Sequence, residues 1–173
     1  TTILHERFAP SLIINTGSAG GFQEHSNVGD IVISTEVVYH DVDVTAFDYA
    51  LGQVPGMPAA FQSDSRLVQI ATDAVKKLKL PYAKGMVATG DSFMADPDHV
   101  AAVKKNFPDL IAAEMEAAAI AQVCYQYNVP FVVLRALSDI AGKESSVTFD
   151  EFLETAAKNA STIVMEMVKK LGE

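Results

Sequence analysis

Four short apolar runs, each ending in small or polar residues, constrain this chain more than any other feature. Residues 11–15 (SLIIN) run into TGSAGG, 84–88 (KGMVA) into TGDSF, 110–113 (LIAA) into EMEA, and 130–136 (PFVVLRA) into LSDIAG. Runs this short, bounded by turn-forming residues, read as buried strands. A further run, 30–34 (DIVIS), leads into EVVYHDVDVTAF and reads as a strand pair. Between the runs the spacing turns helical. Residues 67–78 carry apolar positions at helical intervals, and Asp96-Pro97 offers an N-cap and a first-turn proline for a helix over 98–106. Residues 116–127 read as a buried helix, and Thr148 to Glu151 fit a capping box opening a long helix that ends near Leu171. Alternating strands and helices imply an α/β fold, a mixed central sheet flanked by helices. The loop 46–61, with Gly52, Pro55, Gly56 and Pro58, is the expected mobile or interface segment.

Composition narrows the partners. Thirteen basic against 22 acidic residues give a net charge of −9, whereas phosphate backbones are bound by clustered Lys and Arg. Neither nucleic acid nor a membrane surface is an expected partner. Apolar runs stay short of the roughly 18 residues a spanning helix needs, and no signal peptide opens the sequence. Cys124 stands alone, so there is no disulfide framework, and its neighbours mark it as a small core residue. A cytoplasmic location follows as the expectation. With 49% hydrophobic residues and a mean hydropathy of +0.18, some apolar surface is expected to meet another subunit.

Glu114 and Glu116 interrupt the apolar stretch LIAAEMEAAAIAQV. Burying an unpaired carboxylate is costly, so each needs a partner or a task. In open α/β sheets ligands collect beyond the carboxyl ends of the strands. All the polar clusters lie at such ends, which gathers Ser18, Phe93, Glu114, Glu116, Arg135, Ser138 and Asp139 into one expected site. Blander readings exist for each: Arg135 as the neutralising partner of a buried glutamate, Ser138-Asp139 as a helix N-cap, the glycine run as a tight turn. HDVD at 40–43 has metal-ligand residue types, but no second His or Cys cluster completes a zinc site. TGSAGG lacks the lysine of a P-loop and the spacing of a dinucleotide fingerprint. Neither metal nor cofactor is expected.

Taken in order, INTGSAGG, YHDVDVTAF, ATGDSF, EMEA and RALSD resemble the 5'-methylthioadenosine/S-adenosylhomocysteine nucleosidases, bacterial enzymes of the nucleoside phosphorylase superfamily. The resemblance runs from Ser11 to the C-terminal helix and implies a nucleoside phosphorylase-like fold. It also implies hydrolysis of the bond between adenine and a modified ribose. Asp139 then matches the acid that protonates N7 of adenine, oriented by Ser138, and Glu116 the carboxylate that grips the ribose hydroxyls. Met115 would lie against the ribose, Phe93 would stack on the base, and backbone groups around Met94 would read the base edge. Ser18 and Arg135 would line the nucleophile side, Arg135 also orienting the acids, with Glu114 left a structural role. Phe149 would face the 5'-substituent, and Phe47, Tyr49 and Pro55 would reach a neighbouring subunit's pocket, implying a homodimer. Phosphorylases of the superfamily carry an arginine three residues before the matching serine; here Asn15 stands there, which favours water over phosphate as nucleophile.

The start of the chain departs from the resemblance. There is no initiating Met, and TTILHERFAP reads as the tail of an amphipathic helix stopped by Pro10. The expectation is one domain over 1–173, truncated at its N-terminus and without the family's water-activating glutamate, and hence with little activity alone. Two alternatives complete the reading: a purine nucleoside phosphorylase, and a non-catalytic nucleoside-binding or storage protein of the same fold.

Overall fold

The computed structural model describes residues 1–142 and 145–172, and their side chains apart from 145–151 and 153. Helix α1 (Thr2–Phe8) precedes strand β1 (Ile13–Gly21) and strand β2 (Ile31–Tyr39). A single turn of 3-10 helix (Thr45–Phe47) and the short strand β3 (Phe61–Gln62) lead to helix α2 (Ser65–Lys77). Then follow β4 (Tyr82–Thr89), α3 (Pro97–Asn106), β5 (Leu110–Glu114), α4 (Ala117–Tyr127), β6 (Phe131–Ile140) and α5 (Ser145–Leu171). None of the described helices is long and apolar enough to cross a membrane.

The sheet is mixed and closes on itself. Its order is β3-β2-β4-β5-β1-β6, and β6 returns to pair with β2. The β2–β4, β4–β5 and β1–β6 pairs are parallel, while β1–β5 and β2–β6 are antiparallel. Each strand of this ring gives a residue to one apolar cluster: Ala19, Val32, Val87, Ile111 with Ala112, and Leu137. Helices pack outside. Asp64 caps α2 by accepting from the Leu67 N–H at 2.9 Å, and its apolar stripe (Leu67, Ile70, Ala71, Ala74, Val75) meets Ile31, Ile33, Val132 and Leu134 together with Ile163 and Met167 of α5. Small residues of α4 (Ala117, Ala118, Ala121, Cys124) let it lie close to Val37, Phe131 and Val133. The α3 start is as the sequence implies, with Pro97 in its first turn and Asp96 accepting from the Asp98 N–H.

Two of the blander readings fall away and two expectations are corrected. TGSAGG is no turn: β1 continues through Gly21, pairing in parallel with β6 along its length with one register shift between Ala19 and Gly20. What the glycines supply is space, since a Cβ on Gly17 would come within 3.3 Å of Arg135 and one on Gly20 within 3.2 Å of Asp139. Ser138-Asp139 caps no helix, because both residues lie inside β6. Residues 31–39 form one strand, with a register irregularity between Ser34 and Glu36, in place of a strand pair. Helix α5 begins at Ser145, three residues before Thr148, so the capping box falls within the helix.

Candidate active site

β1, β5 and β6 end side by side, and their last residues wall one cavity. It has a volume of about 390 Å³ and is lined by Ser18, Ala19 and Gly20, by Ala113 to Glu116, by Ser138 and Asp139, and by Phe93. Strand geometry explains the convergence. Ser18 pairs with Ala136 and Gly20 with Asp139 across β1–β6, while Gly20 also pairs with Ala113 across β1–β5. Phe93 comes from the loop after β4 and is half exposed, one flat face of the cavity. A small recess of about 30 Å³ adjoins it, where Met94 and Ser92 join the lining. The Met94 carbonyl accepts from the Gly142 N–H at 3.1 Å, which ties this loop to the end of β6. A larger groove of about 720 Å³ near Phe61 and Phe131 holds one acid, Asp64, already used as the cap of α2. A smaller pocket of about 200 Å³ between α2 and α5 also holds two acids, Asp73 and Glu166, but both are paired with lysines.

Those carboxyls sit in different surroundings. Asp139 is 2% exposed, and the Ser138 hydroxyl donates to its Oδ1 at 2.8 Å. Glu114 ends β5 fully enclosed. It accepts from the backbone N–H of Ala117 at 2.9 and 3.0 Å and of Glu116 at 3.2 Å, and so caps α4. The Arg135 guanidinium pairs with it through Nη2, and Nη1 donates to the Leu134 carbonyl at 3.1 Å. The same Nη2 stands 3.8 Å from Glu116, whose side chain is two-thirds exposed at the cavity mouth. Glu116 titrates above the usual carboxylate range, first because the cavity wall desolvates it and then because Glu114 is near, with Arg135 opposing. Two residues apart, the glutamates thus differ: one is a strand-end cap, the other faces the opening.

Of the residues singled out in the sequence, the fold brings Ser18, Phe93, Met115, Glu116, Ser138 and Asp139 to the cavity and Met94 to its recess. Arg135 lies behind the wall, 2% exposed. Phe47 and Pro55 are exposed and Tyr49 half-buried, on the segment after β2 and away from this chain's own cavity lining. Phe149 falls within α5, but its side chain lies outside the described ones. Two further residues have surroundings the sequence did not announce: Thr89, and His40, which drew notice there only for the metal-ligand types of HDVD. Thr89, the last residue of β4, is buried and donates its hydroxyl to Glu114. His40 is buried with neither ring nitrogen hydrogen-bonded; burial lowers its pKa, and it packs against Gly90, where the loop carrying Phe93 begins. Thr89 sits inside the ATGDSF motif, but nothing in an isolated threonine signals a buried carboxylate acceptor.

The family model of the phosphorylase superfamily matches residues 1–169, and the chain belongs to that superfamily. Within it, the chain is 66% identical to the 5'-methylthioadenosine/S-adenosylhomocysteine nucleosidase of Anoxybacillus flavithermus, across 100% of this chain and 75% of the relative. Among solved structures it is similar to the nucleosidase of Colwellia psychrerythraea in complex with adenine (TM-score 0.95, 52% identity, 98% of this chain and 71% of that one). The Neisseria meningitidis nucleosidase with methylthio-immucillin-A gives the same TM-score at 48% identity, over 97% of this chain and 73% of that one.

Proposed function

We propose that this protein hydrolyses the N-glycosidic bond of 5'-methylthioadenosine and S-adenosylhomocysteine, releasing adenine and a thioribose; its relatives are named as nucleosidases of these two compounds. One observation carries the reading: a single nucleoside-sized cavity holds a buried carboxyl, Asp139, across from a mouth-facing one, Glu116. Breaking this bond builds positive charge on the sugar and negative charge on the base. Asp139 supplies the proton to the leaving base, since a carboxyl taken out of water is costly to ionise, and Ser138 fixes its orientation. General acid help of this kind is worth about 10² to 10⁴ in rate. Glu116 accepts from the ribose hydroxyls and its charge favours an oxocarbenium-like sugar. Phe93 stacks on adenine and Met115 lies under the ribose.

Water is the nucleophile in this reading. Asn15 occupies the position from which a phosphorylase arginine would grip the dianion, and both terminal nitrogens of Arg135 are engaged, by Glu114 and by the Leu134 carbonyl. Exposed Phe47 and Pro55, with Tyr49 beside them, supply apolar surface for a second copy of the chain, which makes the working unit a homodimer. A cytoplasmic location belongs to the same reading, supported by the free, buried Cys124.

Adenine release from methylthioadenosine, measured with and without phosphate, tests the proposal. Equal release in both is expected; strict dependence on phosphate would make the protein a phosphorylase. Asp139→Asn is expected to lower release by at least about 10²-fold while keeping much of the inhibitor affinity, and an active variant would contradict the acid role.

A further inference from the structure

We infer that Thr89 is a positioning residue for the sugar side of the cavity: by holding Glu114 against Arg135, it keeps Arg135 from capturing Glu116. The hydroxyl of Thr89 is committed at both ends. It is 2% exposed, at the end of β4 and directly opposite Glu114 in the β4–β5 register. Its oxygen accepts from the Ala118 N–H at 2.9 Å, in the first turn of α4. Its one proton is donated to Glu114 Oε1. A threonine hydroxyl has a single O–H, so the helix N–H on one side fixes where that proton points on the other.

Glu114 then divides its oxygens. Oε1 takes Thr89 and the Ala117 N–H, and Oε2 takes Arg135, the Ala117 N–H and the Glu116 N–H. Arg135 Nη2 is shared between a close partner, Glu114, and a distant one, Glu116 at 3.8 Å. That imbalance leaves the Glu116 carboxylate facing the opening. Removing the Thr89 hydroxyl strips an acceptor from the Ala118 N–H and a donor from Glu114 in one step. Glu114 loses its anchor on the β4 side, its grip on Arg135 loosens, and the guanidinium can close the remaining gap to Glu116. A Glu116 held by Arg135 no longer offers both oxygens to a diol. The base side, built by Phe93, Met94 and Asp139, is untouched.

The inference rests on the reading of Glu116 as the sugar-gripping group, and the test separates the two. Calorimetric titration with adenine and with methylthio-immucillin-A, whose ribose-like ring carries the hydroxyls, is run on the wild-type chain, Thr89→Val and Thr89→Ser. Expected is about a tenfold loss of inhibitor affinity in Thr89→Val, adenine affinity within twofold of wild type, and recovery in Thr89→Ser. If Thr89→Val binds both ligands like wild type, or weakens both in equal proportion, or if Thr89→Ser fails to recover, the inference is overturned. Should Thr89→Val not fold, Glu114→Gln replaces it, keeping the side-chain shape while weakening its hold on Arg135; unchanged inhibitor affinity there overturns the inference as well. A wild-type chain that binds adenine but gains nothing from the sugar-like ring would sink the reading of Glu116 itself.

Discussion

Single residues of this protein are decided by contact as much as by chemistry, and Gly90 shows it. A Cβ there would stand 2.3 Å from the His40 ring, and His40 is buried, 7% exposed. Overpacking of this kind costs about 1–3 kcal/mol. Gly90→Ala is therefore expected to lower the melting temperature by roughly 2–12 °C and to weaken adenine binding, because the loop bearing Phe93 starts at this residue; calorimetry and titration check both. An alanine that leaves melting unchanged would show that the ring moves freely. This scale also shows the limit of reading residues along a line. The cavity acids, Asp139 and Glu116, were legible because polar groups at the ends of apolar runs are costly without a purpose. Arg135 was legible as a buried partner, but its place behind the wall depends on Gly17, whose missing side chain makes room. Thr89 was not legible, since its role exists only through a carboxylate on another strand.

Among the elements, α2 and α3 could be read from their caps and apolar spacing, which are local signals. β1 and β6 ran past their expected limits for a tertiary reason. Pairing along all of β6 carries the glycine-rich segment as strand, and a neighbour on the sheet outweighs the turn tendency of glycine. The α2–α5 contact yields a prediction at this scale. Lys77 and Lys169 both pair with Glu166, and Lys170 pairs with Asp73. Lys77 and Lys169 hold the Glu166 carboxyl well below its ordinary 4.5, at about 2. A depressed carboxylate contributes stability that is present above its unfolded pKa and lost as pH falls through the folded one. Unfolding measured across that window should thus show the α2–α5 contact weakening from about pH 4.5 down toward 2. Glu166→Gln should flatten that limb, with a small change at neutral pH because the lysines are largely exposed. A variant titrating like wild type would remove Glu166 from the account.

For the whole molecule, the fold class could be read from the alternation of strands and helices, whereas closure of the sheet could not. Nothing in DIVIS or PFVVLRA announces that the two will meet, because antiparallel pairing of Ile31–Ile33 with Leu134–Ala136 joins distant segments. The proposed homodimer is tested here too. Phe47, 75% exposed on the segment after β2, is expected to anchor it; Phe47→Ala should shift the mass in light scattering from two chains toward one. A wild-type protein that runs as a single chain at all concentrations would end that proposal.

The β2–β6 seam has a temporal meaning. The Val133 N–H donates to the Ser34 hydroxyl oxygen across 99 positions of sequence, and Asp139, which lines the cavity, lies on the strand that completes this seam. During synthesis on the ribosome, most of the chain must emerge before any binding place exists. Nucleoside cannot act as a template for early folding; it can only lock a finished product. Contacts so distant are also slow to form, leaving the nascent chain a long interval with bare strand edges.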